Sequence, residues 1–126
     1  MLHAFVCEAH DIVRAWGFHV GSMLTWCKAP RGIGFGGTFV NSTELVLFCR
    51  RGTLPALRRW DTTWFNWKRP YINGKPAHSC KPDGLLDVVE LTSPGPYLEM
   101  FSRRARLGWA TRGNEALHGT EEVPHG

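Results

Sequence analysis

The stretch over residues 97–115 constrains the fold of this chain most, because a strand-like run there leads directly into a cationic loop and a polar turn. Residues 97–101 predict a short strand, since they follow the turn signal SPGP. The loop and the turn supply Arg103, Arg104, Arg106, Gly113, Asn114 and Glu115. Ligands of open α/β sheets bind outside the carboxyl ends of the strands, so this pattern predicts a site for a nucleotide-like ligand.

The length and charge of the chain narrow its class without deciding its partner. With 126 residues there is room for one small domain, and the hydrophobic share of 43% is ordinary for a globular protein. The net charge of +4 is mildly basic. Such a charge suits a polyanionic partner, and it equally suits a protein that needs charge only for solubility.

The cysteines and the N-terminal sequence predict an intracellular, reduced protein. Cys27 and Cys49 stand inside apolar runs and are predicted to be buried, while no CxxC pair indicates a zinc site or a disulfide framework. The N-terminal residues lack the pattern of a signal peptide. No apolar run approaches the length needed to span a membrane, so no membrane partner is expected.

The first half of the chain predicts one helix and two strands. An apolar stripe at helical spacing precedes the stop signal Gly17 and predicts an amphipathic helix whose stripe lies in the core. Its members are Phe5, Ala9, Ile12, Val13 and Trp16. Strands are predicted over residues 18–28 and 43–50, the second apolar enough to be buried on both faces. The glycine-rich residues 31–37 lack the flanking elements of a phosphate-binding loop and are predicted to form a mobile connection.

Residues 52–77 show no clear periodicity, and cations alternate there with aromatic side chains. The cations are Arg58, Arg59, Lys68 and Arg69, and the aromatic residues are Trp60, Trp64, Phe65 and Trp67. One interpretation is a nucleic-acid surface, on which cations meet phosphates and rings stack on bases. The alternative is a long loop folded over the core with its rings tucked in.

A second helix is predicted after residue 82. Pro82 suits the first helical position, and Asp83 suits the positive end of the helix dipole. Lys81 opposes that dipole, so either it shares a ligand carboxylate with the helix N-terminus or it is a solvated surface lysine. The apolar face of this helix would be formed by Leu85, Leu86 and Val89. The stop signal at residues 93–95 is predicted to end the helix.

Five segments, in this order, resemble the MT-A type N(6)-adenine methyltransferases. They are TWCK, FVNSTELVLFCRRG, HSCKPD, SPGPYLEMFSRR and GWATRGNE. That family includes the catalytic subunit of the eukaryotic mRNA adenosine methyltransferase and many phage and bacterial DNA enzymes. The similarity runs over residues 5–115, and the combination of the last three segments is specific.

The resemblance implies an α/β protein with the Rossmann-like fold of S-adenosylmethionine-dependent methyltransferases. By the family pattern, Lys81 meets the methionine carboxylate of S-adenosylmethionine, the methyl donor. Arg103 binds the ribose hydroxyls, and Asn114 and Glu115 hold the donor's adenine. Arg106 stands where many relatives place a further polar residue that contacts the ribose.

The resemblance also implies that the acceptor side is incomplete. Asn41 and Glu44 match residues that line the side of the target base, but the family's Asp-Pro-Pro-Trp motif does not occur in the sequence. In the family that motif grips the amine of a flipped adenine, and in-line methyl transfer depends on how the amine is aimed. No catalytic residue is therefore assigned within the chain.

The absence of the Asp-Pro-Pro-Trp motif also changes the expected fold and domain organisation. Residues 1–115 would form the C-terminal part of a methyltransferase domain whose central strands are missing, and residues 116–126 would form a flexible tail. An incomplete sheet leaves apolar strand edges unpaired, which predicts aggregation of the chain on its own.

Two functions from different classes follow from the sequence. The first is an S-adenosylmethionine-dependent N(6)-adenine methyltransferase in truncated or split form, with DNA favoured over RNA and an N-terminal methyltransferase segment as its complementing partner. The second is a non-catalytic relative that binds nucleic acid or a partner through the basic aromatic loop. Either protein is expected in the cytoplasm, or in the host cytoplasm if a phage encodes it.

Overall fold

The computed structural model describes residues 1–30, 37–77 and 80–113. These residues form a mixed α/β architecture of two helices and three small sheets, arranged in the compact units Met1–Lys68 and Arg69–Gly126. No single parallel sheet links the strands within the described ranges. The Rossmann-like fold with missing central strands therefore stays a prediction.

The first unit is built on an antiparallel pair of strands that follows a helix. A 3-10 turn (His3–Phe5) leads into α1 (Val6–Ala15), and Gly17 then adopts a φ of +79°, which glycine takes at little steric cost. Strand β1 (His19–Cys27) pairs with β2 (Thr43–Arg50) in a register that runs from His19 opposite Arg50 to Cys27 opposite Thr43. The short strand β3 (Trp64–Phe65) pairs in parallel with the other edge of β1.

The predicted helix is confirmed, but the prediction that its apolar stripe lies in the core is wrong. Phe5, Ile12 and Trp16 are 57%, 48% and 69% exposed, and α1 has no buried residue. The stripe follows the helical period because an amphipathic helix presents one apolar face, but these three side chains are exposed, whereas Ala9 and Val13 are half-buried. Periodicity shows that a face exists, whereas its burial needs a second surface.

The predicted strands of the first unit are confirmed at their positions, whereas their burial is not. Strand β2 is only partly buried along its whole length, so the prediction of burial on both faces is wrong. Cys27 and Cys49 are likewise only partly buried, and Trp26 is the buried apolar residue of β1. As for the helix, burial needs a covering surface: a sheet is buried on both faces only if a layer packs against each face.

The second unit begins with a short hairpin and continues with a helix between strands. Strands β4 (Tyr71–Ile72) and β5 (Lys75–Pro76) flank Asn73 and Gly74, which both adopt positive φ as tight hairpin turns require. Helix α2 (Asp83–Thr92) leads to β6 (Tyr97–Met100), which pairs in parallel with β7 (Trp109–Arg112). Residues 52–77, whose sequence shows no clear periodicity, contain the three two-residue strands β3, β4 and β5.

Helix α2 and strand β6 lie where the sequence places them, with small shifts at their ends. Pro82 precedes the first helical residue instead of occupying it, and it supplies the extended backbone of the N-cap. Strand β6 ends at Met100, because Phe101 turns into the left-handed region with a φ of +57°. Leu86 is the buried centre of the apolar face of α2, at 3% exposure.

Several predictions fall on residues outside the described ranges. They concern the glycine-rich connection at residues 31–36, the HS pair at residues 78–79, and the segment over residues 114–126 with its predicted tail. Within the described residues, β6 pairs only with β7, and Leu98 and Met100 are about half exposed. The described helices include none long and apolar enough to cross a membrane.

Two leucines of α2 provide a matched test of this packing. We expect Leu86→Ala to destabilise the second unit by about 2–5 kcal/mol, because it leaves a cavity at a buried site. Leu91→Ala removes the same atoms from a side chain that is 48% exposed, and should change stability by only about 0.5 kcal/mol. Urea unfolding followed by circular dichroism measures both, and equal losses would show that Leu86 is not the core of the unit.

Candidate ligand site at the carboxyl ends of β6 and β7

Lys81 reaches the carboxyl end of β6 from its position before α2. Its Nζ atom donates to the main-chain oxygen of Met100 at 3.0 Å and to Oε1 of Glu99 at 3.3 Å. The side chain of Lys81 is 40% exposed. An ammonium group has three donors, so two fix its position and one remains for a ligand.

Glu99 is the buried counter-charge of this lysine. Its side chain is only 6% exposed, and its Oε2 atom is buried without a hydrogen-bond partner among the described residues. A buried carboxylate is costly unless it is paired, so the ion pair explains why Glu99 is tolerated inside the unit. The dipole of α2 opposes the charge of Lys81 and does not set its position. Its position is set by the contacts with Glu99 and with the carboxyl end of β6.

The carboxyl ends of β6 and β7 are joined directly. The main-chain N–H of Ser102 donates to the carbonyl oxygen of Arg112 at 2.8 Å. A Cβ atom on Gly113 would lie 2.5 Å from the oxygen of Ser102, so only glycine fits this close approach. Ser102 and Gly113 therefore lie side by side.

The first residues after β6 are held in a strained and well-bonded turn. Phe101 has a left-handed backbone, which is uncommon for an aromatic residue, and its side chain is 80% exposed. Ser102 is 1% exposed, and its hydroxyl donates to the carbonyl oxygen of Arg104 at 2.5 Å. Arg103 stands between Ser102 and Arg104 in the sequence and is partly buried. The fixed turn therefore limits where its side chain can lie.

Arg104 ties this loop to the start of α2. Its Nη2 atom donates to Oδ1 of Asp83 at 2.5 Å and approaches the carbonyl oxygen of Lys81 at 3.4 Å. The Lys81 segment and the Arg103 loop are therefore neighbours, as the ligand-site prediction requires. Cys80 is buried beside them, and desolvation raises the pKa of its thiol, while the positive charge of Arg104 opposes the rise.

Arg106 contacts three carboxylates on one face of α2. Its Nε donates to Glu90 at 2.9 Å, its Nη2 donates to Asp87 at 2.5 Å, and its Nη1 lies 3.6 Å from Asp83. The three acids share a face because they are four and three residues apart along a helix. Hydrogen bonds to Glu90 and then Asp87 raise the pKa of Arg106 further above its ordinary value.

Trp109 completes the contact between this loop and α2. Its indole N–H donates to Oε1 of Glu90 at 2.6 Å, and its ring stacks on Tyr97 with centroids 5.0 Å apart. Tyr97 in turn donates its hydroxyl hydrogen to the carbonyl oxygen of Ser93 at 2.8 Å. The hydrogen bond from Arg106, and then that from Trp109, lower the pKa of Glu90.

The residues predicted for the target-base side belong to the first unit. Asn41 caps the start of β2, with its side-chain oxygen accepting the main-chain N–H of Thr43 at 3.1 Å. Glu44 forms an ion pair with Lys28, whose ammonium lies 4.7 Å from the ring centroid of Trp26. Both residues therefore have local partners at the end of the β1–β2 pair.

The basic aromatic loop shows features of both interpretations given above. Phe65 stacks on Trp67 at 4.6 Å and meets Trp60 edge-on at 5.9 Å, while the carbonyl oxygen of Trp67 accepts the indole N–H of Trp26. These rings pack within the first unit. Trp64 is 60% exposed. Arg58, Arg59 and Lys68 are exposed in the first unit, and Arg69 opens the second unit.

The structure thus adds residues that the sequence argument missed. Glu99 could have been suspected as a lone charge in a strand, and the spacing of Asp83, Asp87 and Glu90 marks an acidic helix face opposite an arginine-rich loop. Asn114 and Glu115, predicted to hold the donor's adenine, lie outside the described residues. In the sequence they follow Gly113, the last described residue.

Comparisons with known proteins add no support to the family resemblance, which rests on the sequence motifs alone. No protein-family model and no curated protein matches the chain. In the described part of the chain, no three His, Cys, Asp or Glu side chains are grouped as a metal ion would need.

The lowered pKa of Glu90 predicts that the acidic face of α2 contributes to stability in a pH-dependent way. We expect Glu90→Gln to destabilise the second unit near neutral pH and to have no effect in strong acid. The folded-state pKa of Glu90 is lowered, so its stabilisation is present above the ordinary carboxyl pKa and is lost as the pH falls through the folded-state value. Thermal melts of both proteins from about pH 7 to about pH 2 measure the difference.

A control for this series is Asp61→Asn, at an exposed residue of the first unit. Its melting temperature should follow that of the unchanged protein at every pH. A Glu90→Gln difference that stays constant down to strong acid would contradict the proposed role of the carboxylate charge.

Proposed function

We propose that this chain is the donor-binding part of an N(6)-adenine methyltransferase that uses S-adenosylmethionine. The observation that carries the proposal is the contact of Lys81 with the carboxyl end of β6, at 3.0 Å from the oxygen of Met100. It supports the proposal because two motifs of the family, far apart in sequence, meet where ligands of parallel sheets bind.

The chemistry of this site suits the donor's amino acid and ribose groups. Lys81 keeps one N–H for a carboxylate. Arg103 sits on the turn directly after β6, which agrees with its proposed role at the ribose hydroxyls. Asn114 and Glu115 are proposed to hold the adenine from the segment that follows β7.

The acceptor half of the reaction is proposed to come from another polypeptide segment. The exposed apolar stripe of α1 and the exposed Leu98 and Met100 of β6 are surfaces that further elements of a sheet would cover. We propose that a segment bearing Asp-Pro-Pro-Trp supplies the groups that grip the target adenine. DNA is the proposed substrate in preference to RNA, by analogy with small phage enzymes.

A second candidate function is nucleic-acid binding by the basic aromatic loop. The observation that favours it is the arrangement of exposed cations beside rings, with the guanidinium of Arg58 4.3 Å from the ring centroid of Trp60. Exposed Trp64 adds a face on which a base could stack. This function needs no donor and no catalytic motif, so it stands independently of the first.

The donor site is tested by substitution in a complex of this chain with an Asp-Pro-Pro-Trp segment from a complete family member. Lys81→Ala and Arg103→Ala should each weaken S-adenosylmethionine binding about tenfold or more, because each removes hydrogen bonds to charged or polar donor groups. Isothermal titration calorimetry measures the affinity. Leu107→Ala, at a side chain that is fully exposed, is the control and should bind as the unchanged chain does.

Activity of the same complex tests the reaction itself. Methylation of adenine in DNA, detected by mass spectrometry of digested nucleosides, is the expected result. A complex that binds the donor but methylates neither DNA nor RNA would overturn the methyltransferase proposal, and unchanged donor affinity in both variants would show that the site is elsewhere.

The second candidate is tested by salt-dependent binding to single-stranded DNA and RNA. Replacing Arg58, Arg59, Lys68 and Arg69 with alanine should weaken binding and flatten its dependence on salt, because fewer phosphates are neutralised. Trp64→Ala should cost about 1–3 kcal/mol of binding through lost stacking. Arg14→Ala on α1 is the control cation. Binding that is insensitive to salt and survives these changes would exclude the loop as the interface.

A further inference from the structure

Arg106 occupies a position that the family resemblance assigns to a ribose contact, but its surroundings indicate a different role. All three guanidinium nitrogens lie against carboxylates of α2: Nε at Glu90, Nη2 at Asp87 and Nη1 nearest Asp83. The side chain is 20% exposed. A guanidinium whose nitrogens are engaged in this way has little left to offer a ligand.

Arg106 also offsets the repulsion among the three carboxylates of α2. Asp83, Asp87 and Glu90 place like charges four and three residues apart on one helix face, a spacing that destabilises an isolated helix. Arg106 lies among all three, and Arg104 adds a second cation at Asp83. The loop over residues 101–108 is therefore fastened to α2 by complementary charge.

The fastened loop carries the residue proposed to bind the donor's ribose. Arg103 lies between Ser102, which is buried, and Arg104, which is paired with Asp83. Trp109 closes the far end of the loop by donating to the same Glu90 that accepts from Arg106. Both ends of the loop are thus held, and Arg106 is its main attachment near the second end.

We propose that Arg106 is a positioning residue that holds the loop over residues 101–108 on the acidic face of α2 and thereby orients Arg103 toward the donor. It does not bind the ribose itself. The proposal rests on the proposed function for its link to the donor. Its structural part, the fastening of the loop, is independent of any ligand.

Trypsin cleavage after Arg103 and Arg104 tests the fastening in the full chain without a ligand. In Arg106→Met, cleavage at these two bonds should be about tenfold faster than in the unchanged chain, because proteolysis follows the population of the released loop. Mass spectrometry resolves each bond. Cleavage after Arg112, in β7, should stay unchanged if the unit remains folded, and Leu107→Ala is the control within the loop.

Arg106→Lys keeps the charge but cannot span Glu90 and Asp87 together, so it should give an intermediate rate. Faster cleavage after Arg112 would show that Arg106→Met unfolds. In that case the cleavage rates of Arg106→Lys test whether Arg106 holds the loop. Cleavage after Arg103 and Arg104 that is unchanged in Arg106→Lys, or in a folded Arg106→Met, overturns the proposal.

A double-variant comparison of donor affinity tests the orientation of Arg103. In the complex with the Asp-Pro-Pro-Trp segment, Arg106→Met should weaken S-adenosylmethionine binding about tenfold, and combining it with Arg103→Ala should weaken it no further than Arg103→Ala alone. Losses that multiply would mean that Arg106 binds the donor directly and would overturn the proposal. If the unchanged complex does not bind the donor, the proposed function fails, while the cleavage rates still decide whether Arg106 holds the loop.

Discussion

The second unit depends on an ion pair between Lys81, which precedes α2, and Glu99, which is buried in β6. The pair links two segments that are far apart in the chain, and the bond from Lys81 to the oxygen of Met100 fixes the ammonium at the end of the strand. Removing Lys81, which is itself 40% exposed, would leave the buried Glu99 without its counter-charge, and this is the costly case for buried ions. This contact and the bond from Arg104 to Asp83 together hold the loop after β6 beside the start of α2.

Around that pair, the site is organised by charge on the loop and by close packing at the strand ends. Arg104 and Arg106 bind the acidic face of α2, and Gly113 allows β7 to end directly against Ser102. Lys81 and Arg103 are the cations that we propose to meet a ligand, whereas we propose that Arg106 holds the loop on α2. Arg104 and Arg106 look equivalent in the sequence but have different partners on α2.

The positions of the elements could be predicted from the sequence because they follow from local signals. The apolar period of α1, the stop at Gly17, the apolar run of β2 and the turn before Tyr97 each act over a few residues. Burial could not be predicted in the same way. The stripe of Phe5, Ile12 and Trp16 is exposed because burial depends on a covering surface, and no local pattern reports whether one exists.

By itself, the sequence determined the helices, the main strands, the cationic loop after β6 and the family motifs on which the donor-site hypothesis rests. Only the tertiary structure decided the partners of three of these cations: Lys81 pairs with Glu99, Arg104 with Asp83, and Arg106 with the acids of α2. The physical reason is that propensity and turn chemistry are properties of neighbouring residues. The partner of a charge depends on distances between segments that only the folded chain brings together.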